Sequence, residues 1–270
     1  MTKIYIPKPD KPMSIVFFAS NSEVNLKTLH RLSKRHPKLI SVDLVVTDRG
    51  KIGAIDYANK YAIPVITQDF SKMCGSFKKV NADPAKFRKY TECAIKFHNT
   101  ILRKIKAFEK KRGHKFDLVV LSYYRWIHGD LLKYFSSRMI NQHPADLSVF
   151  EKDGVTRKYI GIDPAYLSLR DGKTKTRTST ILVRGGHDAG EILCQGPWSE
   201  YKGPQPATIK SAADHERRQE RVSDIPALEF AVKAIAKGDF AISDIKYKDG
   251  AHALYYKGKR LPYKGVDLSD

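Results

Sequence analysis

The sequence predicts an α/β protein with a mostly parallel, twisted sheet and helices on both faces. Short apolar runs alternate with stretches of helical period through the first half of the chain, the pattern of parallel strands joined by crossover helices. Several of those runs are β-branched and apolar throughout, as strands covered on both faces must be. With 270 residues, 41% of them hydrophobic, the chain can bury a core without a disulfide or metal staple.

The first strand is expected at Ser14–Phe18 (SIVFF), followed by the polar loop Ser20-Asn21-Ser22-Glu23 and a helix through Leu26, Leu29 and Leu32. Strands at 42–47 and 63–67 flank a helix over 52–61. Residues 69–83 read as loop. A long basic helix follows, with Ala94, Phe97, Ile101, Ile105 and Phe108 at three- and four-residue spacing. Phe116–Leu121 (FDLVVL) reads as a fully buried strand, 131–135 as a short helix, and 138–140 as a strand that stops at Asn141. Glycines and Pro164 punctuate 146–177, with one short helix near 164–170. Strands at 178–183 and 191–194 flank a glycine-bearing turn, and a proline-rich connector spans 196–207. A helix over 212–237 and strands near 240–247 and 252–256 close the chain. The expected organisation is an arm over 1–12, a catalytic domain over 13–195, and a C-terminal helix and strands over 196–270 packed on the same domain.

Charge is uneven. The formal net charge is +20, and residues 86–115 alone hold eleven Lys/Arg against two acids. That helix reads either as a solvated face or as contact for a phosphate-bearing partner. Cys74, Cys93 and Cys194 are odd in number and form no CxxC, which argues against a disulfide framework and a zinc site and suggests a reducing compartment. The start of the chain has no apolar core of a signal peptide, and no apolar run approaches the length of a membrane span, so a cytoplasmic location is expected. No histidine has ligand-like spacing, and no metal is expected.

Two strings follow predicted buried strands: Asn141-Gln142-His143-Pro144 and His187-Asp188-Ala189-Gly190. Open α/β sheets bind ligands beyond the carboxyl ends of their strands. An amide, an imidazole and a carboxylate converging there could donate to an oxyanion, move a proton and orient the imidazole. The bland alternative is that Asn141 caps a turn and His143 is a satisfied core histidine.

In these strings the chain resembles the folate-dependent formyltransferases, most of all the branch whose acceptor is glycinamide ribonucleotide. In that family an N-x-H-P string supplies the catalytic Asn and His, and a later D-x-G string the catalytic Asp. The likeness extends through SIVFFASNSEVNLKTL, AIDYANKYAIPVIT, FDLVVLSYYRWI and the ending ALYYKGKRLPY. It implies a Rossmann-like formyltransferase fold and transfer of a formyl group from 10-formyltetrahydrofolate to an amine of an anionic small-molecule acceptor in purine biosynthesis. It also implies Asn141, His143 and Asp188 as catalytic residues. Folate would lie on Tyr124, Arg125, Trp126, Ile127, Gly185, Gly186 and His187. Acceptor contacts would be Ser20, Asn21, Ser22 and Asn25 at a helix N-terminus, and Glu220.

The chain departs from that pattern in three places. Its first loop lacks glycine and carries Glu23; Ile181 stands where the glycinamide enzymes have histidine; and 149–177 is longer and basic. Arg157, Lys158, Arg170, Lys173, Lys175 and Arg177 are expected either to meet an anionic acceptor or to be solvated. The alternatives within the fold are an amino sugar nucleotide, another amine, or water, which would make the protein a formyltetrahydrofolate hydrolase. An alternative of another class is a basic nucleic-acid-binding protein.

Overall fold

The computed structural model describes every residue except Ser22, Asn81 and Asp270, and leaves the side chain of Lys78 aside. It divides into two compact units, Met13–Met139, and Met1–Pro12 together with Ile140–Asp270. The arm holds a short strand, β1 (Thr2–Lys3), which belongs with the second unit.

In the unit Met13–Met139 the alternation read from the sequence is realised as β2 (Met13–Ala19), α1 (Val24–Arg35), β3 (Ile40–Thr47), α2 (Gly53–Lys60) and β4 (Val65–Thr67). These are followed by α3 (Phe70–Cys74), a 3-10 turn (Phe77–Lys79), α4 (Pro84–Arg112), β5 (Leu118–Ser122) and α5 (Gly129–Tyr134). The strands run in the order β5-β2-β3-β4 and every pairing is parallel. All seven residues of β2 are buried, the burden of a central parallel strand. Helix α4 starts at Asp83, whose carboxylate accepts from the amides of Ala85 and Lys86, with Pro84 in its first turn. It stops at Gly113, left-handed at φ 78°.

Two expectations fail in this unit. Residues 69–83 are not all loop, because Asp69 caps α3 by accepting from the Lys72 amide. And Cys74 and Cys93 form a disulfide, their Cα atoms 5.5 Å apart. Spacing along the chain could not show this; the packing of α3 on α4, with Phe70 edge-on to Phe97, brings the two cysteines together.

The second unit begins within β6 (Met139–His143) and continues through α6 (Pro164–Arg170), β7 (Lys175–Thr176), β8 (Ser179–Leu182), β9 (Ile192–Gln195) and β10 (Ser199–Glu200). Helix α7 (Ile209–Gln219), a π turn over Glu220–Asp224 and α8 (Ile225–Ala236) come next. The chain closes with β11 (Phe240–Lys246), β12 (His252–Tyr256), β13 (Lys259–Arg260) and β14 (Val266–Asp267). Strand β8 lies antiparallel between β6 and β9, and β14 adds parallel to β9. A second antiparallel sheet has the order β1-β11-β12-β13, so the N-terminal arm is an edge strand. The helix expected over 212–237 is helical from Ile209 to Ala236, with a π turn over Glu220–Asp224 dividing it into α7 and α8 two residues before Pro226, which has no amide hydrogen to donate. The α/β class and mostly parallel sheet are as read from the sequence. Among the described residues, no helix is long and apolar enough to cross a membrane.

Candidate active site

Strand β6 does not stop at Asn141 but runs on to His143, paired residue for residue with β8. Side chains alternate along a strand, so Asn141 and His143 share one face and Gln142 points to the other, where its Oε1 accepts from Thr180. The face of His143 carries Ile181 and Ser179 on β8, and Ile181 belongs to an apolar cluster with Leu147 and Ile192.

Asp188 comes from the turn after β8. It sits in the left-handed region at φ 48°, between Gly186 at 120° and Gly190 at 121°. A Cβ on Gly190 would lie 2.0 Å from the carbonyl oxygen of Leu182, so the turn can close only with glycine there. The turn carries Asp188 Oδ1 to 3.3 Å from His143 Nδ1. His143 Nε2 lies 2.6 Å from the carbonyl of Tyr159, and Asp188 Oδ2 accepts from the Gly161 amide at 2.8 Å. A carbonyl only accepts, so Nε2 is the donor in its contact with Tyr159. Burial raises the Asp188 carboxyl, but the contact with His143 and the Gly161 amide outweigh it, and the group titrates below its ordinary range. Among the described residues, the half-buried Asn141 amide has no protein partner.

The segment 157–163 is therefore built into the site rather than draped over it. Arg157, 6% exposed, donates to the carbonyls of Asp188 (2.6 Å) and Gly190 (2.5 Å) and to the hydroxyl of Tyr263 (2.8 Å), and pairs with Asp249 at 3.5 Å. A guanidinium can fork in this way; an ammonium cannot. At the other end of the turn, Glu191 pairs with Arg184 and accepts from the His252 amide.

These contacts correct the reading of 149–177 as a basic loop available to an acceptor. Arg157 is spent on the turn. Arg177 is buried among Asp146, Asp267 and Gln195, and Lys158 is held by Asp171 at 2.6 Å. Only Arg170, Lys173 and Lys175 of that group remain exposed, and Arg170 has Asp171 at 3.7 Å.

Of a second set of carboxylates, only Glu220 was expected, as an acceptor contact. Glu216, Glu220 and Asp224 recur every four residues along α7 and the π turn, and all three are half-buried. Burial raises the Glu216 carboxyl, with Asp163 and Glu220 adding to it, while His143 pulls it the other way. Asp224 is pushed up to about 7 by burial, against the hydroxyl of Thr178, which donates to it; Glu220 and Glu216 raise it further and His143 lowers it. The four-residue repeat was visible in the sequence, but nothing there marked it as facing an imidazole.

The other site candidates lie in the unit Met13–Met139, apart from Gly185, Gly186 and His187 on the Asp188 turn. Ser20 is fully buried; its amide donates to Ser122 and its hydroxyl accepts from the Tyr124 amide at 2.9 Å. Asn21 is exposed, Asn25 is buried with no partner for its Oδ1 among the described residues, and Ser22 lies outside them. Glu23 occupies the N-cap position of α1 without capping it and pairs with Lys27. Tyr124 is exposed, and Ile127 is buried. Arg125 donates to the fully buried Asp48 at 2.7 Å and stacks on Phe70, and Trp126 lies edge-on to Phe77. Among the described residues, no group of His, Cys, Asp and Glu is arranged to hold a metal ion.

Residues 13–202, more than half of the chain, match the formyl transferase family. Among solved structures the chain is similar to the phosphoribosylglycinamide formyltransferase of Coxiella burnetii, with a TM-score of 0.64 and 20% identity over 96% of this chain and 100% of that one. It is similar to glycinamide ribonucleotide transformylase 1 of Symbiobacterium toebii (TM-score 0.60, 18% identity, 89% and 93% covered). It is also similar to a formyltetrahydrofolate deformylase of Pseudomonas putida (TM-score 0.58, 16% identity, 91% and 71% covered). At these identities the likeness is one of fold.

Proposed function

The chain belongs to the formyl transferase family, and from that premise we propose that it transfers a formyl group from 10-formyltetrahydrofolate to an amine, with Asn141, His143 and Asp188 as the catalytic residues. The observation that carries this reading is the pairing of His143 with Asp188 on the strand face that also carries Asn141, whose amide has no protein partner among the described residues. The folate supplies the activated formyl carbon, and Gly185, Gly186 and His187 on the Asp188 turn are its proposed contacts beside the three catalytic residues. Asn141 donates its amide hydrogen to the oxygen that becomes negative as the amine attacks. His143 delivers a proton to the departing nitrogen and is restored by the proton that the attacking amine gives up, while Asp188 fixes the ring and balances its charge. Nε2 must leave the Tyr159 carbonyl to do so, which makes the 157–163 segment part of the catalytic cycle.

The first acceptor to test is glycinamide ribonucleotide, the substrate in the names of two of the similar structures. A second reading, an amino sugar nucleotide or another amine, is favoured by one set of observations. Glu23 sets a carboxylate at the N-terminus of α1, and the Glu216 carboxylate, raised further by Glu220, feels the charge of His143. Water as acceptor would give a hydrolase. Loss of 10-formyltetrahydrofolate, followed with each amine in turn and with none, separates the three. His143→Ala and Asp188→Asn are each expected to slow transfer about 10²–10⁴-fold. Undiminished turnover in both variants would remove these residues from the mechanism.

A further inference from the structure

The basic helix α4 is not consumed by the function proposed above. Nine of its Lys and Arg side chains are exposed (Lys86, Arg88, Lys89, Lys96, Arg103, Lys104, Lys106, Lys110, Lys111) against one exposed acid, Glu92. Its other acid, Glu109, is buried and accepts from the Phe116 amide and the Tyr134 hydroxyl. Lys86 pairs with Asp83 and Arg112 with Asp43; among the described residues no carboxylate pairs with Lys89, Lys96, Arg103 or Lys110. Those four stand seven residues apart, so they form one ridge about 31 Å long with a cation every ~10.5 Å. Ala94, Phe97, Ile101 and Ile105 face the core on the opposite side.

We propose that this ridge docks a nucleic-acid duplex through its phosphates. The ridge is about as long as one duplex turn of 34–36 Å, along which a duplex offers a negative charge every ~1.7 Å. A membrane fits less well, because the apolar stripe that would enter lipid is already buried in the core. A single strand would need exposed aromatic stacking platforms, and the ridge has none; Phe87, at the start of α4, leans on Phe77 instead. Lysines on phosphates position a partner without reading its sequence, so the binding is indifferent to base composition.

The test uses the whole protein and a labelled 20-base-pair DNA duplex, with binding followed by anisotropy from 50 to 200 mM salt. The expected affinity is that of non-specific binding, roughly 10⁻⁴ to 10⁻⁶ M at physiological salt. Four ridge contacts contribute roughly −3.6 to the slope of log K against log salt. The variant K89Q/K96Q/R103Q/K110Q, exposed throughout, should lose about that much slope while keeping its melting temperature and its formyl-folate turnover. The control variant K257Q/K259Q should bind like the parent. The proposal is overturned if the quadruple variant binds the duplex as the parent does. It is also overturned if phosphatidylserine vesicles or a single strand of equal charge bind the parent more tightly than the duplex. Loss of turnover in the parent would count against the enzymatic reading and leave this one standing.

Discussion

Arg157 shows how one buried side chain can hold a candidate site together. Its three hydrogen bonds and its pairing with Asp249 fix the turn that delivers Asp188 to His143. Arg157→Lys keeps the charge and loses the fork, so kcat is expected to fall about 10- to 100-fold through misplacement of Asp188, with the acceptor KM little changed. A purely structural arginine would instead lower the melting temperature and leave turnover per folded molecule intact. Arg157→Ala, which leaves Asp249 with the Tyr263 hydroxyl and the Ala251 amide but no cation, should cost about 3–5 kcal/mol of stability in denaturant titration. Asp224 carries the opposite sign. Its folded-state value, about 7, lies above the ordinary carboxyl value. Folding therefore favours the protonated form, and the cost of the charge is absent below about pH 4 and grows until about pH 7. Asp224→Asn is expected to stabilise the protein on the order of 1–2 kcal/mol at pH 8, with the gain vanishing by pH 4. A gain that stays constant with pH would refute this account.

Elements matter here through where they end. Strand β6 carries two site residues because it runs three residues past Ile140, where apolar character stops, its pairing with β8 replacing the missing apolar signal. The turn after β8 closes through Gly190, and Gly190→Ala is expected to be strongly destabilising, with loss of the cooperative thermal transition as the measurement. Helices α3 and α4 are tied by Cys74–Cys93, a closed loop of 19-residue separation. Reduction should destabilise the protein by about 3 kcal/mol on loop entropy, read as a fall in melting temperature that Cys74→Ser reproduces. An unchanged melting temperature after verified reduction would mean that α3 packing alone holds these helices. The helix boundaries of α4 were legible because Asp-Pro and Gly are explicit start and stop signals. The break between α7 and α8 was readable only in part, since Pro226 is tolerated in a first turn and the π turn has no sequence signature.

For the whole molecule, the net charge of +20 is carried unevenly. Part of the basic 149–177 stretch is neutralised internally, and carboxylates gather near His143, while α4 keeps its cations in solvent. Acid stability should follow from the depressed carboxylates. Asp188, Asp171 and Asp267 titrate below their ordinary range, Asp188 and Asp267 despite burial, through His143, Lys158 and the Lys264 and Arg177 contacts respectively. Their contribution is full above the unfolded value near pH 4 and is lost as pH falls through the folded values. The melting temperature should therefore drop steeply below about pH 4, and Asp267→Asn should flatten that drop.

The α/β class, the alternation of the longer strands and helices, and the two strings that hold Asn141, His143 and Asp188 are legible in the chain alone, because strand and helix periods and turn residues are local properties. Tertiary structure alone decided that Arg157 and Arg177 are buried partners rather than free cations, that Tyr159 caps the imidazole, and that Cys74 meets Cys93. Each of these depends on distances between residues far apart in the chain. Charge in a sequence reports only what a side chain can carry; whether it faces a carboxylate, a carbonyl or water is set by packing.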